Sequence, residues 1–317
     1  MTSRDVMTGL VAGGGPGGGE PRWRCSAWAR DVELDPGGTA PRVDVFVVVE
    51  HPLPWARDVG DDPLLAAVER AARAQVAGDR RVRLQAVAVD GASPARRVVV
   101  FAAGDGPFRG YGRLEAQGTP DQLPGIAAQL AAAEPPRPTA GGVTDVLVCT
   151  HGARDACCGS LGTRLWQGSE PSGVHLWRTS HTGGHRFAPT AVTFPDGAYW
   201  ARLDPALLEG IVARRVPAEQ AASHMRGCAA FGAAVQVADR AAFATRGWGW
   251  LATPRFGDER SAGRVELCFE APGGDRGSVH VCLAPGRRMP VPDCGHDPAT
   301  ASKFETEWRA IRIETWR

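Results

Sequence analysis

Apolar positions along this chain gather into short dense runs broken by glycine and proline. Val43 to Glu50 (VDVFVVVE) is rich in β-branched residues and predicts a buried strand. Pro63 to Ala77 then recurs with helical spacing. Val82 to Val89 and Arg97 to Ala102 read as strands, and Pro120 to Ala133 as a helix, which makes a βαββα-like unit. The run Glu134-Pro135-Pro136-Arg137-Pro138, followed by Gly141-Gly142, is the clearest linker. Beyond it the pattern restarts. Asp145 to Cys149 (DVLVC) predicts a strand, Asp155 to Gln167 a helix and Gly173 to Arg178 a strand. Ala191 to Phe194 and Ala198 to Leu203 flank Pro195-Asp196-Gly197 as a hairpin. Helices are expected over Pro205 to Arg214 and Pro217 to Phe231. After about residue 235 come a further helix, a hairpin of Arg264 to Glu270 with Ser278 to Leu283, and a closing strand, Trp308 to Glu314. The expected fold class is α/β: two units of similar layout with mixed sheets, plus a C-terminal α+β extension. The expected boundaries are a lead over 1–20, units over 21–135 and 144–235 joined by a linker at 136–143, and an extension over 236–317.

Composition narrows this picture only a little. The 317 residues are 43% hydrophobic and 22% charged, as in a globular protein. The glycine-rich lead cannot bury apolar surface and is expected to be disordered. It lacks the Gly-Lys-Ser/Thr ending of a phosphate loop. A formal net charge of +1 gives no global pull toward nucleic acid or an anionic membrane. Arginine supplies the basic residues apart from Lys303, evenly spread and without a patch. No run approaches the ~20 apolar residues of a membrane span. The first residues carry no cleavage-site pattern, so a cytoplasmic protein is expected. Eight cysteines are too sparse for a disulfide scaffold, and three of them crowd between Cys149 and Cys158.

That crowding marks the candidate chemistry. Cys-Thr-His-Gly-Ala-Arg-Asp-Ala-Cys-Cys-Gly, residues 149 to 159, leaves a buried strand and opens a helix; His181-Thr182-Gly183-Gly184-His185 follows the next strand. Thiolates and imidazoles are the ligands that iron–sulfur and zinc centres take. Gly183 and Gly184 let the backbone fold so that both imidazoles point one way. The helix N-terminus after Arg154 aims amide donors at negative sulfur. On the residues alone, a cluster and a structural zinc site fit equally well. A phosphatase-like loop with Cys149 as nucleophile would need one residue more than the four that separate Cys149 from Arg154.

The runs CTHGARDACCG and HTGGHRFAPTAVTFPDGAYW resemble the sucrase/ferredoxin-like family, itself similar to thioredoxin-like ferredoxins. Trp23-Arg24-Cys25-Ser26 and His51-Pro52-Leu53-Pro54-Trp55 extend the likeness over roughly residues 20–230. The resemblance implies two tandem thioredoxin-like domains, the first without metal, and a [2Fe–2S] cluster in the second on Cys149, Cys158, His181 and His185. The family's Arg-Asp-x-x-Cys-Gly pattern selects Cys158 over Cys157, which stays a possible competitor. It also implies a soluble one-electron carrier with an unidentified redox partner protein, rather than a catalyst. No carboxylate pair suggests glycoside hydrolysis. Two imidazole ligands are expected to raise the potential and couple it to protons.

Other residues receive plainer readings. Asp155 is expected to cap the following helix, or to pair with Arg154. His151 is either a donor behind the ligands or an exposed loop residue. Cys25, Cys228, Cys268 and Cys282 read as small core residues. Cys294-Gly295-His296 reads as a chance pair in a proline-rich loop. Trp248 and Trp250 read as core.

Overall fold

Strand β1, Val45–His51, is buried on both faces, and this doubly covered strand organises the first half of the chain. The computed structural model describes residues 23–89, 94–138, 142–271, 274 and 276–316; the expected lead over 1–20 lies outside them. Along β1, Val45, Val47 and Val49 pack against helices α2 (Pro63–Arg73) and α3 (Leu123–Ala132). Phe46 and Val48 point the other way, into the largest apolar cluster. Helix α2 starts where Asp62 accepts the amides of Leu64 and Leu65 and Pro63 fits the first helical position. Before these elements stands a short helix, α1 (Cys25–Asp31), which the pattern did not predict.

β1 pairs parallel with β2 (Val82–Ala88) and antiparallel with β3 (Arg96–Ala103), which pairs with β4 (Tyr111–Gly118). The second half repeats this arrangement. β5 (Asp145–Cys149) pairs parallel with β6 (His175–Thr179) and antiparallel with β7 (Ala191–Phe194), which pairs with β8 (Ala198–Trp200). The two halves meet where β2 and β6 pair antiparallel. With β9 (Met225–Cys228) beside β8, the described residues form one mixed sheet of nine strands in the order β4-β3-β1-β2-β6-β5-β7-β8-β9. The sheet curls enough for its halves to touch: Phe101 stacks on Phe194 at 3.9 Å, and Phe46 meets Phe194 edge-on at 5.0 Å.

The pattern does not predict β4, because its sequence, YGRLEAQG, is largely polar; it is the outer strand beside β3 and needs no apolar run. The helix expected over Pro217 to Phe231 stops at His224. Helix α6 (Ala218–His224) passes into β9 (Met225–Cys228), where Gly227 takes φ 142°, outside helical backbone, and pairs with Tyr199 of β8.

Helices α4 (Thr163–Gln167) and α5 (Pro205–Val212) flank the second half. Helix α7 (Ala233–Arg246) and the short α8 (Gly249–Ala252) lead into a second, antiparallel sheet of β10 (Arg255–Ser261), β11 (Arg264–Glu270), β12 (Arg276–Pro290) and β13 (Phe304–Trp316). The expected hairpin and closing strand are β11, β12 and β13; β10 is additional. Trp250 is buried, as expected. Cys228 is buried too, but Cys268 and Cys282 are only half-buried on β11 and β12, on the side away from the packed face.

The second sheet is fixed to the first body by an ion pair with no exposure on either side chain, Arg255 Nε to Asp239 Oδ1 at 2.6 Å. Trp250 Nε1 donates to the same oxygen at 2.8 Å, and Arg255 Nη1 donates to the carbonyls of Trp250, Leu251 and Thr253. Removing one partner strands a buried charge. Asp239→Asn is therefore expected to lower stability by about 3–5 kcal/mol in a urea titration. A loss below about 1 kcal/mol would mean that Arg255 finds another partner.

Candidate metal centre

Cys149 ends β5, fully buried, with its amide bonded to Thr190 O at 3.0 Å. The chain then turns through His151 to Arg154 and enters a helix that runs as a π-helical turn over Cys158–Gly162 before α4. Two glycines let this helix approach the end of β5. A Cβ on Gly162 would lie 1.8 Å from Cys149 O, and one on Gly159 would lie 2.5 Å from the Gly152 Cα. The widened turn and the close contact bring Cys158 beside Cys149, both buried. Asp155 caps the helix as expected: its Oδ1 accepts the amides of Cys157 at 2.8 Å and Cys158 at 3.4 Å. Arg154 is exposed and makes no described ion pair with Asp155.

His181 follows β6 and brings its Nδ1 to 3.9 Å from Cys149 Sγ and 3.8 Å from Cys158 Sγ. These three donor atoms all lie within 4.8 Å of one another. With metal–sulfur bonds of about 2.3 Å and metal–nitrogen bonds of about 2.0 Å, both separations can be bridged by one metal ion. The Cys158 thiol hydrogen-bonds Cys149, and with help from His181 this holds Cys149 well below the usual thiol range. The same bond and burial push Cys158 well above it. The pair thus shares one proton.

His185 is placed differently. Its ring centre is 5.8 Å from that of His181, but Nδ1 faces Cys25 Sγ at 3.2 Å and Asp155 Oδ2 at 3.3 Å, and Nε2 faces Asp293 Oδ1 at 3.1 Å. Burial lowers its pKa. Gly183 and Gly184 do take left-handed backbone, φ 88° and 70°. The loop is less open than its glycines suggested. Thr182 is buried against Thr190, their hydroxyls 3.2 Å apart.

Further residues hold the site, most without a local signal. His151 lies buried behind His181, as the first of its two readings expected, and is not an exposed loop residue. It donates from Nε2 to Ala56 O at 2.8 Å, which leaves Nδ1 to accept the His181 amide at 3.2 Å. Arg83 and Gln85 donate to His181 O at 2.6 and 3.3 Å. Arg226, on the strand read as helix, is buried and donates to Gly183 O at 2.8 Å; burial pulls its guanidinium down to about 10. A second cysteine group lies beside the first. Cys25, Cys157 and Cys294, read as core, competitor and chance, converge with Asp155. The hydrogen bond from the Cys25 thiol, then that from Cys294, holds Cys157 far below the usual thiol range. The partner thiols are pushed up, Cys25 far above that range and Cys294 to about 11, in both cases first by the bond to Cys157.

Residues 36–227 match the sucrase/ferredoxin-like family. The chain belongs to that family. The matched span holds Cys149, Cys157, Cys158, His181 and His185, but neither Cys25 nor Cys294. "Altered inheritance of mitochondria protein 32" of Meyerozyma guilliermondii is 35% identical over 83 residues, covering 22% of this chain and 29% of that protein. The chain therefore matches less than a third of that relative's length. No solved structure matches this chain. Among the described residues, no helix is long and apolar enough to cross a membrane.

The glycine contacts make this candidate site sensitive to single methyl groups. Gly162→Ala must push the helix off β5 and is expected to cost about 3 kcal/mol or more by urea titration. Ser160→Ala, on the exposed side of the same turn, should cost no more than about 0.5 kcal/mol. Equal stability of the two variants would remove the close contact as the reason for glycine.

Proposed function

We propose that this protein carries one [2Fe–2S] cluster on Cys149, Cys158, His181 and His185 and passes single electrons to a partner protein. The observation that carries this reading is the convergence of Cys149, Cys158 and His181 at one end of a sheet, with His185 one ring away, in a member of a ferredoxin-like family. Mixed thiolate and imidazole donors suit iron–sulfur binding. Bound there, the cluster would supply a one-electron couple.

The chain's own residues do the rest. Cys149 and Cys158 give up their shared proton on binding. His181 would present Nδ1, the atom facing both sulfurs, to the cluster, with Nε2 on its far side. His151, Arg83 and Gln85 fix the backbone of His181. A polar cavity of about 350 Å³ opens beside His181, with Arg57, Arg83 and Arg154 among its walls, and offers a partner protein a docking place near this ligand. The repeated strand order supports reading each half of the sheet as a thioredoxin-like unit. The alternative, a single structural zinc ion, is favoured by the tight grouping of three donors within 4.8 Å and by the turn of His185 toward Asp155.

Analysis of protein purified without air is expected to give about two irons and two acid-labile sulfides per chain, with the absorption and electron paramagnetic resonance spectra of such a cluster. Cys149→Ser, Cys158→Ser, His181→Ala and His185→Ala should each lose or remodel that spectrum, and Cys157→Ser should keep it. Absence of iron and sulfide, with zinc lost in His181→Ala, decides for the zinc reading.

A cluster held partly by imidazoles would couple electron uptake to proton uptake. The midpoint potential should fall as pH rises, by up to about 59 mV per unit. Voltammetry from about pH 6 to about pH 10 tests this. A flat midpoint throughout means that neither ligand histidine titrates.

A further inference from the structure

We infer that Cys25, Cys157, Cys294 and Asp155 hold a single zinc ion, in a second metal site beside the family site. Their four donor atoms all lie within 4.8 Å of one another. Cys294 Sγ is 3.3 Å from Cys25 Sγ, 3.0 Å from Cys157 Sγ and 3.4 Å from Asp155 Oδ1; Cys25 Sγ is 3.8 Å from either Asp155 oxygen. A tetrahedral zinc with bonds of about 2.3 Å holds two sulfurs about 3.8 Å apart. The thiols need to open by less than 1 Å to admit it.

The number and type of donors favour zinc. A disulfide would use two of the three sulfurs and leave the third in contact with it, whereas a four-coordinate ion uses every donor. Three thiolates exclude magnesium and calcium, which take oxygen shells. The carboxylate is held for the task. Asp155 Oδ1 accepts the amides of Cys157 and Cys158, and Oδ2 accepts the Cys294 amide at 3.4 Å and faces His185. Ser26 donates to Cys157 Sγ at 3.2 Å, and Gly295 donates its amide to Trp23 O at 2.8 Å. These bonds orient the ligands, as partners around metal sites do.

The ion would clamp three distant segments: α1, the start of the helix after β5, and the loop between β12 and β13. The last of these carries Asp293, which bonds His185 Nε2, so zinc would also hold the cover over His185. This inference does not depend on the cluster reading.

The test is metal analysis of the full-length protein, with cobalt replacing zinc as a spectroscopic probe. Wild type and Cys149→Ser should each hold about one zinc. Cys157→Ser and Cys294→Ser should lose it, and Cys282→Ser, outside the site, should keep it. Asp155→Asn should weaken it by about 100-fold or more, since losing even a partner behind a ligand costs 10–100-fold. Should Cys294→Ser fail to fold, the thiolate-to-cobalt absorption of the cobalt-loaded Cys149→Ser variant decides by itself. The inference is overturned by Cys149→Ser that binds neither zinc nor cobalt through thiolate, or by zinc that survives in Cys294→Ser. A metal-free protein lighter by the two hydrogens of a disulfide overturns it as well. Zinc that is sensitive to Cys294→Ser in a protein without iron would leave this site standing and sink the cluster reading.

Discussion

The seam between β2 and β6 is where the two half-sheets become one. Its ladder has a single described register pair, Val87 with Thr179, and is completed by bonds around it. Ser180 donates its amide to Ala86 O at 2.8 Å and accepts the Ala86 amide on its hydroxyl at 3.0 Å. Thr179 donates its hydroxyl toward Gln85 Oε1 and Ala86 O. All these groups are buried, so each pairing avoids the cost of an unsatisfied polar group. The residue that follows this seam is His181. Its carbonyl is held by Arg83 and Gln85 of β2, and its amide by His151, itself tied to Ala56. The first half therefore helps position His181 of the second.

The other side of the site is set by steric contact. Gly152, Gly159 and Gly162 let the loop after β5 and the following helix touch backbone to backbone. Asp155 then acts in two directions: it caps that helix, and its oxygens face Cys25, Cys294 and His185. One carboxylate thus links the Cys149, Cys158 and His181 group to the neighbouring cysteine group. Cys157 and Cys158 are adjacent in sequence, yet their side chains enter different groups because successive positions on a helix point in different directions. Cys158 joins Cys149 and His181, while Cys157 joins Cys25 and Cys294.

The C-terminal sheet shapes this neighbourhood too. Its anchor is Arg255 against Asp239, and its long strands carry the loop that delivers Asp293 and Cys294 to His185 and Cys25. Arg287, bridging Glu307 and the carbonyls of Val32 and Glu33, ties the same sheet to the segment after α1. The N-terminal and C-terminal ends of the described chain thereby close over His185 and the neighbouring cysteine group.

What the sequence determined by itself was local. Strand β5 could be read to the residue, because a run of apolar β-branched residues between breakers admits little else. The cap at Asp155, the paired glycines before His185 and the grouping of Cys149, Cys158 and His181 were legible as short motifs. β4 and β9 were not, because a polar outer strand and a strand continuing a helical pattern are decided by the neighbour they pair with. Tertiary structure alone brought Cys294 to Cys157 and Cys25, across separations of 137 and 269 positions. It alone turned His185 toward Asp155 and Asp293 and set Arg226 behind the glycines. Periodicity and spacing record only which face a residue takes within its own element. Where such faces meet depends on how strands register and how elements pack, and those energies are summed over the whole fold.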